Sequence, residues 1–234
     1  MKTILVLGES SSIGKSISDK FNILDNKIIS TYHCNNEFID IKSGNIERVP
    51  LDLADDKSIL AFSKKLVADK VCIDVLISLI GILPGKNLLD YKFGEIDNVM
   101  AVNFSGQAKL LKTIIPLLAP NSRIILFSSI SAQKGSYDPI YAASKGAILS
   151  FIKSLLPILP VGSCINAIAP GLIQDSSMFN KMELSRQKSH LSNIHSSNFL
   201  NKEDLSKIIF DLCQDHWSHL NGACIDLNGG QYVR

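Results

Sequence analysis

The feature that most constrains this chain is a repeated alternation of short apolar runs with longer stretches of helical character. Ile4–Leu7, Lys27–Tyr32, Glu47–Leu51, Cys72–Leu79, Arg123–Phe127, Cys164–Ala169 and Ala223–Leu227 read as strands. Helices are expected between them, over 13–24, 56–67 (capped by Asp55), 93–102, 104–118, 141–156 and 202–213. Nearly continuous apolar strands are buried on both faces, and a helix after each strand supplies the crossover that a parallel sheet requires. The expected fold class is α/β: a doubly wound parallel sheet in a three-layer α/β/α arrangement, forming a single domain over 1–234. Such a sheet binds ligands beyond the carboxyl ends of its strands.

Composition narrows the function classes. The chain has 234 residues, of which 46% are hydrophobic and 20% charged, enough apolar material for a large core. Its 24 basic and 22 acidic residues nearly balance, and no basic run stands out, so no nucleic acid and no membrane surface is expected as a partner. Ile4–Leu7 is too short for a signal peptide or a membrane span. The five cysteines, Cys34, Cys72, Cys164, Cys213 and Cys224, are odd in number and form no CxxC pair. They read as reduced thiols of a cytoplasmic protein, with no metal site. One segment departs from the alternation. Residues 174–201 are polar and carry Met178, Phe179 and Met182 beside Lys181, Arg186 and Lys188. This segment reads as a substrate lid, against the plainer reading of a pair of surface helices.

Two motifs carry chemistry. The first apolar run enters Gly8-Glu9-Ser10-Ser11-Ser12-Ile13-Gly14. A glycine turn between a strand and a helix lets backbone N–H groups approach a pyrophosphate, and the helix N-terminus favours the negative charge. Alone it is also what an ordinary strand–helix turn looks like. The second is Tyr141-Ala142-Ala143-Ser144-Lys145. Tyr and Lys at i and i+4 share a helix face. A free phenol titrates near pH 10, and an ammonium one turn away is expected to lower that value and make it a usable proton donor–acceptor. Any helix can carry such a pair by chance, so context matters. Ile124–Phe127 ends in Ser128-Ser129, and Asn166–Ala169 ends in Pro170-Gly171, so three strand ends and one helix converge on one cleft.

Taken together these residues resemble the short-chain dehydrogenase/reductase family over essentially the whole chain. The family's glycine motif matches at Gly8 and Gly14, its helix asparagine at Asn103, and its Ser–Tyr–Lys set at Ser129, Tyr141 and Lys145. Its Asp-Leu pair matches at Asp52-Leu53, its Pro-Gly turn at Pro170-Gly171, and its closing Gly-Gly at Gly229-Gly230. The resemblance implies a Rossmann-type fold, carbonyl–alcohol chemistry and a nicotinamide dinucleotide. It implies catalytic roles for four residues. Tyr141 is the acid in reduction, Lys145 holds the ribose and depresses the Tyr141 pKa, Ser129 bonds the substrate oxygen, and Asn103 positions a water linked to Lys145. The cofactor-contacting set it implies is Gly8, Ser10, Ser11, Ser12, Ile13, Gly14, His33, Asp52, Leu53, Gly81, Tyr141, Lys145, Pro170, Gly171 and Ile173.

The chain departs from the family pattern in three places. Ser12 replaces the middle glycine and Leu7 the leading threonine. Ser78-Leu79-Ile80-Gly81 replaces Asn-Asn-Ala-Gly and keeps only the glycine. The loop before Tyr141 leaves two serines open: Ser128 keeps the commoner count, whereas aligning the strand end and Gly135 selects Ser129, which is preferred here. The second strand ends Ser30-Thr31-Tyr32-His33, with no acid until Glu37 and no Arg or Lys within Glu9–Ser12. Lacking a carboxylate to repel a 2′-phosphate, the chain is expected to favour NADP(H) over NAD(H), with His33 as a phosphate contact. A small-molecule carbonyl or alcohol is the expected substrate, a sugar nucleotide or an acyl-thioester by chemistry, and a homodimer or homotetramer the expected assembly. The alternative in a different class is a non-catalytic dinucleotide-binding sensor. An extended sugar-nucleotide epimerase is disfavoured, because it needs a longer C-terminal domain.

Overall fold

The computed structural model describes residues 1–33, 45–174 and 176–234. Cys34 and Glu37 lie outside the described residues, as does Asp175 within the segment 174–201. Seven strands form one sheet: β1 (Thr3–Leu7), β2 (Lys27–Tyr32), β3 (Ile46–Pro50), β4 (Ile73–Ser78), β5 (Leu118–Phe127), β6 (Cys164–Pro170) and β7 (Cys224–Leu227). Their order is β3-β2-β1-β4-β5-β6-β7, and every neighbouring pair is parallel. The winding reverses between β1 and β4, which opens a cleft above their carboxyl ends.

The apolar strands feed two cores by simple alternation. Leu5, Leu7, Ile29, Leu76, Ile124 and Leu126 face one way. There they meet α2 (Asp56–Ala68), α4 (Gly106–Ile114) and α6 (Pro139–Leu155). Ile4, Val6, Ile28, Ile77, Ile125 and Phe127 face the other way. They meet α1 (Ser12–Asn22) and α9 (Lys202–Leu212), which touch through Phe21 and Phe210 with ring centroids 5.1 Å apart. The three-layer single domain read from the sequence is this structure.

Helix ends follow capping chemistry. Asp55 accepts the N–H of Lys57 at 2.9 Å and starts α2. α1 stops at Asn22, two residues short of the expected end, where Asn26 Nδ2 donates to the Phe21 carbonyl at 3.0 Å and leaves Ile23 and Leu24 exposed. The helices expected over 93–102 and 104–118 form one rod instead. α3 (Phe93–Met100) passes through a π-helical turn, Ala101–Ser105, directly into α4. The rod ends early because Pro116 cannot continue the hydrogen-bond ladder, so Ile115–Leu117 tightens into a 3₁₀ turn. β5 then begins at Leu118 rather than Arg123, and a register shift against β4 lies between Leu118 and Arg123. A short helix unforeseen in the sequence, α5 (Ser131–Lys134), closes on Gly135 at φ 80°. Residues 174–201 contain two helices, α7 (Ser177–Asn180) and α8 (Leu184–Ser192), and Ile173 bridges Leu200 at the base of the segment. No helix among the described residues is long and apolar enough to cross a membrane.

Candidate active site

The glycine turn is built for close approach. Gly8 has φ 94°, and a Cβ on Gly14 would lie 2.4 Å from the Gly8 carbonyl oxygen, so neither position accepts a side chain cheaply. Ser11 caps α1: its hydroxyl accepts the N–H of Gly14 at 2.9 Å and donates to the Gly8 carbonyl at 3.1 Å. The positive end of α1 therefore opens beside Ser11 and Ile13, which both line a cavity of about 440 Å³ above the sheet. Ser10 and Ser12 are exposed on the same turn.

Glu9 is directed away from that turn. It is buried, and its carboxylate accepts Arg48 Nε at 2.8 Å, Arg48 Nη2 at 3.0 Å and the Ser30 hydroxyl at 2.7 Å. A carboxylate next to the glycine turn is thereby matched by a guanidinium. Sequence reading found no cation near Glu9–Ser12 because Arg48 arrives from β3, across the sheet. His33 meets Asp52, with Nε2 3.3 Å from Oδ2, while Asp52 Oδ1 accepts the N–H of Ala54 at 2.8 Å. Leu53, expected as a cofactor contact, packs its side chain into the core. The rod crosses directly over its carbonyl: a Cβ on Gly106 would lie 2.1 Å from it.

At the far side of the cleft the two serines diverge. Ser128 Oγ donates to the Lys145 carbonyl at 2.8 Å and so is committed to α6. Ser129 Oγ accepts the N–H of Ser131 at 3.1 Å, and its hydroxyl is near enough to the Tyr141 phenol to lower its pKa. Ser129, Tyr141 and Lys145 all line the cavity, with Gly81, Pro170, Gly171 and Ile173. Asn103, Gly8, Ser10, Ser12, Gly14, His33, Asp52 and Leu53 do not line it.

The electrostatics differ from expectation at Tyr141. Burial pushes its phenol above the usual value, the Asp138 carboxylate adds to that, and only the Ser129 hydroxyl pulls it down. Lys145 does not supply the expected depression, because its ammonium is turned to backbone. Nζ donates to the Phe127 carbonyl at 2.8 Å and to that of Ile80 at 3.5 Å. Burial holds the Lys145 pKa down to about 8. Gly81 makes room for it, since a Cβ there would lie 2.8 Å from Nζ. Asn103 is fully buried in the π-helical turn. Its Oδ1 accepts the Ile82 N–H at 2.7 Å, and Nδ2 donates to the Ile82 carbonyl and to Ser144 Oγ, both at 2.9 Å. It thus pins the segment after β4 to α6.

Asp138, missed in the sequence, caps α6 and accepts the Tyr141 N–H at 2.9 Å. The same carboxylate accepts the Tyr91 hydroxyl at 2.8 Å and the Gly85 N–H at 2.9 Å. Its signal was present as Asp-Pro before a helix, an N-cap followed by an N1 proline. In the segment 174–201, Met178, Met182 and Arg186 line the cavity, whereas Lys181 and Lys188 do not, and Phe179 packs edge-on against Phe199.

Comparison with known proteins agrees with this geometry. The family model for enoyl-(acyl carrier protein) reductases matches residues 8–231. The 3-oxoacyl-(acyl-carrier-protein) reductase of Buchnera aphidicola (subspecies Acyrthosiphon pisum) is 29% identical over 239 aligned residues, covering 99% of this chain and 98% of that one. The enzyme of the same name from Escherichia coli is 25% identical with the same coverage. Among solved structures, a short-chain dehydrogenase/reductase described as glucose/ribitol dehydrogenase from Brucella melitensis superposes with a TM-score of 0.91. It is 22% identical, and the match covers 100% of this chain and 97% of that one. The ligand-free aldohexose dehydrogenase of Thermoplasma acidophilum gives a TM-score of 0.85 at 20% identity, covering 100% and 94%. With its matching family model spanning nearly every element that builds the cleft, the chain belongs to the short-chain dehydrogenase/reductase family and is an oxidoreductase.

Proposed function

We propose that this enzyme interconverts a carbonyl and a secondary alcohol on an acyl-thioester, with NADP(H) preferred over NAD(H). The observation that carries this reading is the Ser129–Tyr141 hydroxyl pair, buried at the cavity wall with Lys145 one turn further along α6. Tyr141, with its pKa raised by burial, is protonated at neutral pH and acts as the acid toward a carbonyl oxygen. Ser129 donates a second hydrogen bond to that oxygen and orients it. Lys145 restores the proton of Tyr141 and binds the ribose hydroxyls of the dinucleotide. The glycine turn suits a pyrophosphate, since its two glycines admit no Cβ and α1 presents its N-terminus there. When bound, the nicotinamide supplies or accepts the hydride.

The similarity to two 3-oxoacyl-(acyl-carrier-protein) reductases supports the acyl-thioester, and the apolar Met178 and Met182 on the cavity wall suit an acyl chain. The NADP(H) preference rests on the described end of β2, which carries no acid, and on Arg48 matching the charge of Glu9. The segment 174–201 acts as the lid. A homodimer or homotetramer is expected because Phe104, Leu149 and Phe151, on the rod and α6, are only partly covered by the chain itself. The test is oxidation of NADPH and of NADH with acetoacetyl-coenzyme A and with aldoses. Turnover of the thioester with NADPH supports the reading, and activity confined to NADH or to aldoses overturns it.

A further inference from the structure

The cavity has a charged wall that proton transfer and dinucleotide binding do not use. Lys134 at the end of α5, Arg186 and His190 one turn apart on α8, and Gln231 near the carboxyl end all line it. Among the described residues no Asp or Glu lines it. Neither Lys134 nor Arg186 has a carboxylate within salt-bridge distance among the described residues, although most lysines and arginines that form ion pairs here do so on open surface. Both cations are close enough to act on His190. Burial holds the His190 imidazole below its usual range, and the charges of Lys134 and Arg186 depress it further. Gln231 Nε2 lies 3.1 Å from His190 Nδ1 and fixes the ring toward the cavity segment.

Lys134 and Arg186 are exposed side chains of like charge on one concave wall, and like charges so gathered repel. A fold gains from spreading such groups apart, or from giving them an anion to share. These groups come from elements after β5 and β6 and from the chain end, whereas the glycine turn follows β1. We propose that Lys134, Arg186 and His190 form an anion subsite for a carboxylate or phosphate carried by the substrate. The subsite rests on the reading of this cavity as the substrate pocket. A phosphate there belongs to a pantetheine-type arm, and a carboxylate to a free oxo acid.

The test uses the full chain and the double variant Lys134→Gln, Arg186→Gln, which changes only exposed side chains. Isothermal titration is run with pantetheine 4′-phosphate and with acetoacetate, with and without NADP+. In parallel, KM is measured for the uncharged thioester S-acetoacetyl-N-acetylcysteamine. The expected result is that at least one anion binds the wild-type protein and loses at least about tenfold in affinity in the variant. The dinucleotide Kd and the KM of the uncharged thioester should stay within about twofold. A response to the phosphate alone assigns the pantetheine source, and a response to acetoacetate alone assigns the free acid. If neither anion binds, or if the variant binds both as well as wild type, the subsite is refuted. An equal loss for the uncharged thioester refutes it as well. Failure of NADP+ to bind overturns the proposed NADP(H) preference instead, and leaves the anion titrations to stand on their own.

Discussion

The Asp138 carboxylate accepts the backbone N–H of Tyr141 at 2.9 Å, so the residue that starts the helix sits one turn from the phenol at the cavity wall. Through the Tyr91 hydroxyl and the Gly85 N–H it also holds the loop between β4 and α3. Its charge pushes the Tyr141 pKa upward. Asp138→Asn keeps an N-cap acceptor and removes the charge. The limb of the kcat/KM–pH profile that reports Tyr141 should therefore move to lower pH. Asp138→Ala should also cost about 1–2 kcal/mol of stability, the usual worth of a cap, read by denaturant unfolding. An unmoved pH limb in the Asn variant would show that Asp138 acts on structure alone.

The two serines after β5 make different bonds and should respond differently. Ser129→Ala removes the hydroxyl that lowers the Tyr141 pKa, and Tyr141→Phe removes the phenolic proton while keeping the ring. Each should lower turnover by about a hundredfold or more, with dinucleotide affinity little changed. Ser128→Ala loses a bond to the Lys145 carbonyl. It should cost about 1 kcal/mol of stability and far less turnover. Steady-state kinetics beside thermal unfolding separate the two. Equal losses of turnover at Ser128 and Ser129 would return the choice of serine to the loop count.

Much of this was legible because strand ends in a parallel sheet converge by topology. Apolar runs fixed the strands, and residues following them, such as Ser129 and Pro170, had to reach the cleft edge. What crosses the sheet was not legible. Arg48 reaches Glu9 from β3, 39 positions away, and no local pattern marks that pairing. The direction of the Lys145 ammonium was hidden for a similar reason. The i, i+4 spacing places it on the face of Tyr141, but its partners are the carbonyls of Phe127 and Ile80, contributed by other elements. The packing of the Leu53 side chain was not legible either, because a motif names a chain position, whereas that packing is decided by the surrounding core.

Gly81 is the one residue retained from the family's segment after β4, and space explains its retention. A Cβ there would lie 2.8 Å from Lys145 Nζ and 3.4 Å from Asn103 Oδ1. Gly81→Ala should therefore push the ammonium off the Phe127 carbonyl. The expected outcome is a loss of at least about tenfold in kcat/KM, with the fold retained by circular dichroism. Gly94→Ala is the control, because nothing lies within 4 Å of a Cβ at that position, and it should leave activity unchanged. Normal kinetics in Gly81→Ala would mean that the position of Lys145 tolerates displacement.

Lys145 should be a burden on stability at neutral pH. Its folded pKa is about 8, below its ordinary value of 10.5, because burial penalises the ammonium. The unfolded chain therefore binds more protons between about pH 8 and 10.5, and stability from this group must rise with pH across that window. Below pH 8 both states are protonated, and the full penalty, roughly 3 kcal/mol from the size of the shift, is present. Lys145→Met replaces the buried ammonium with an apolar chain of similar length. At pH 7 the variant should be the more stable protein, with its advantage shrinking as pH rises toward 10.5. Its turnover should be largely lost, since the group that destabilises the fold is the one assigned to the proton relay. Urea unfolding of both proteins at pH 7 and pH 10 measures the difference directly. A difference that is flat with pH, or a variant less stable at pH 7, would mean that the bonds to Phe127 and Ile80 outweigh desolvation of the ammonium.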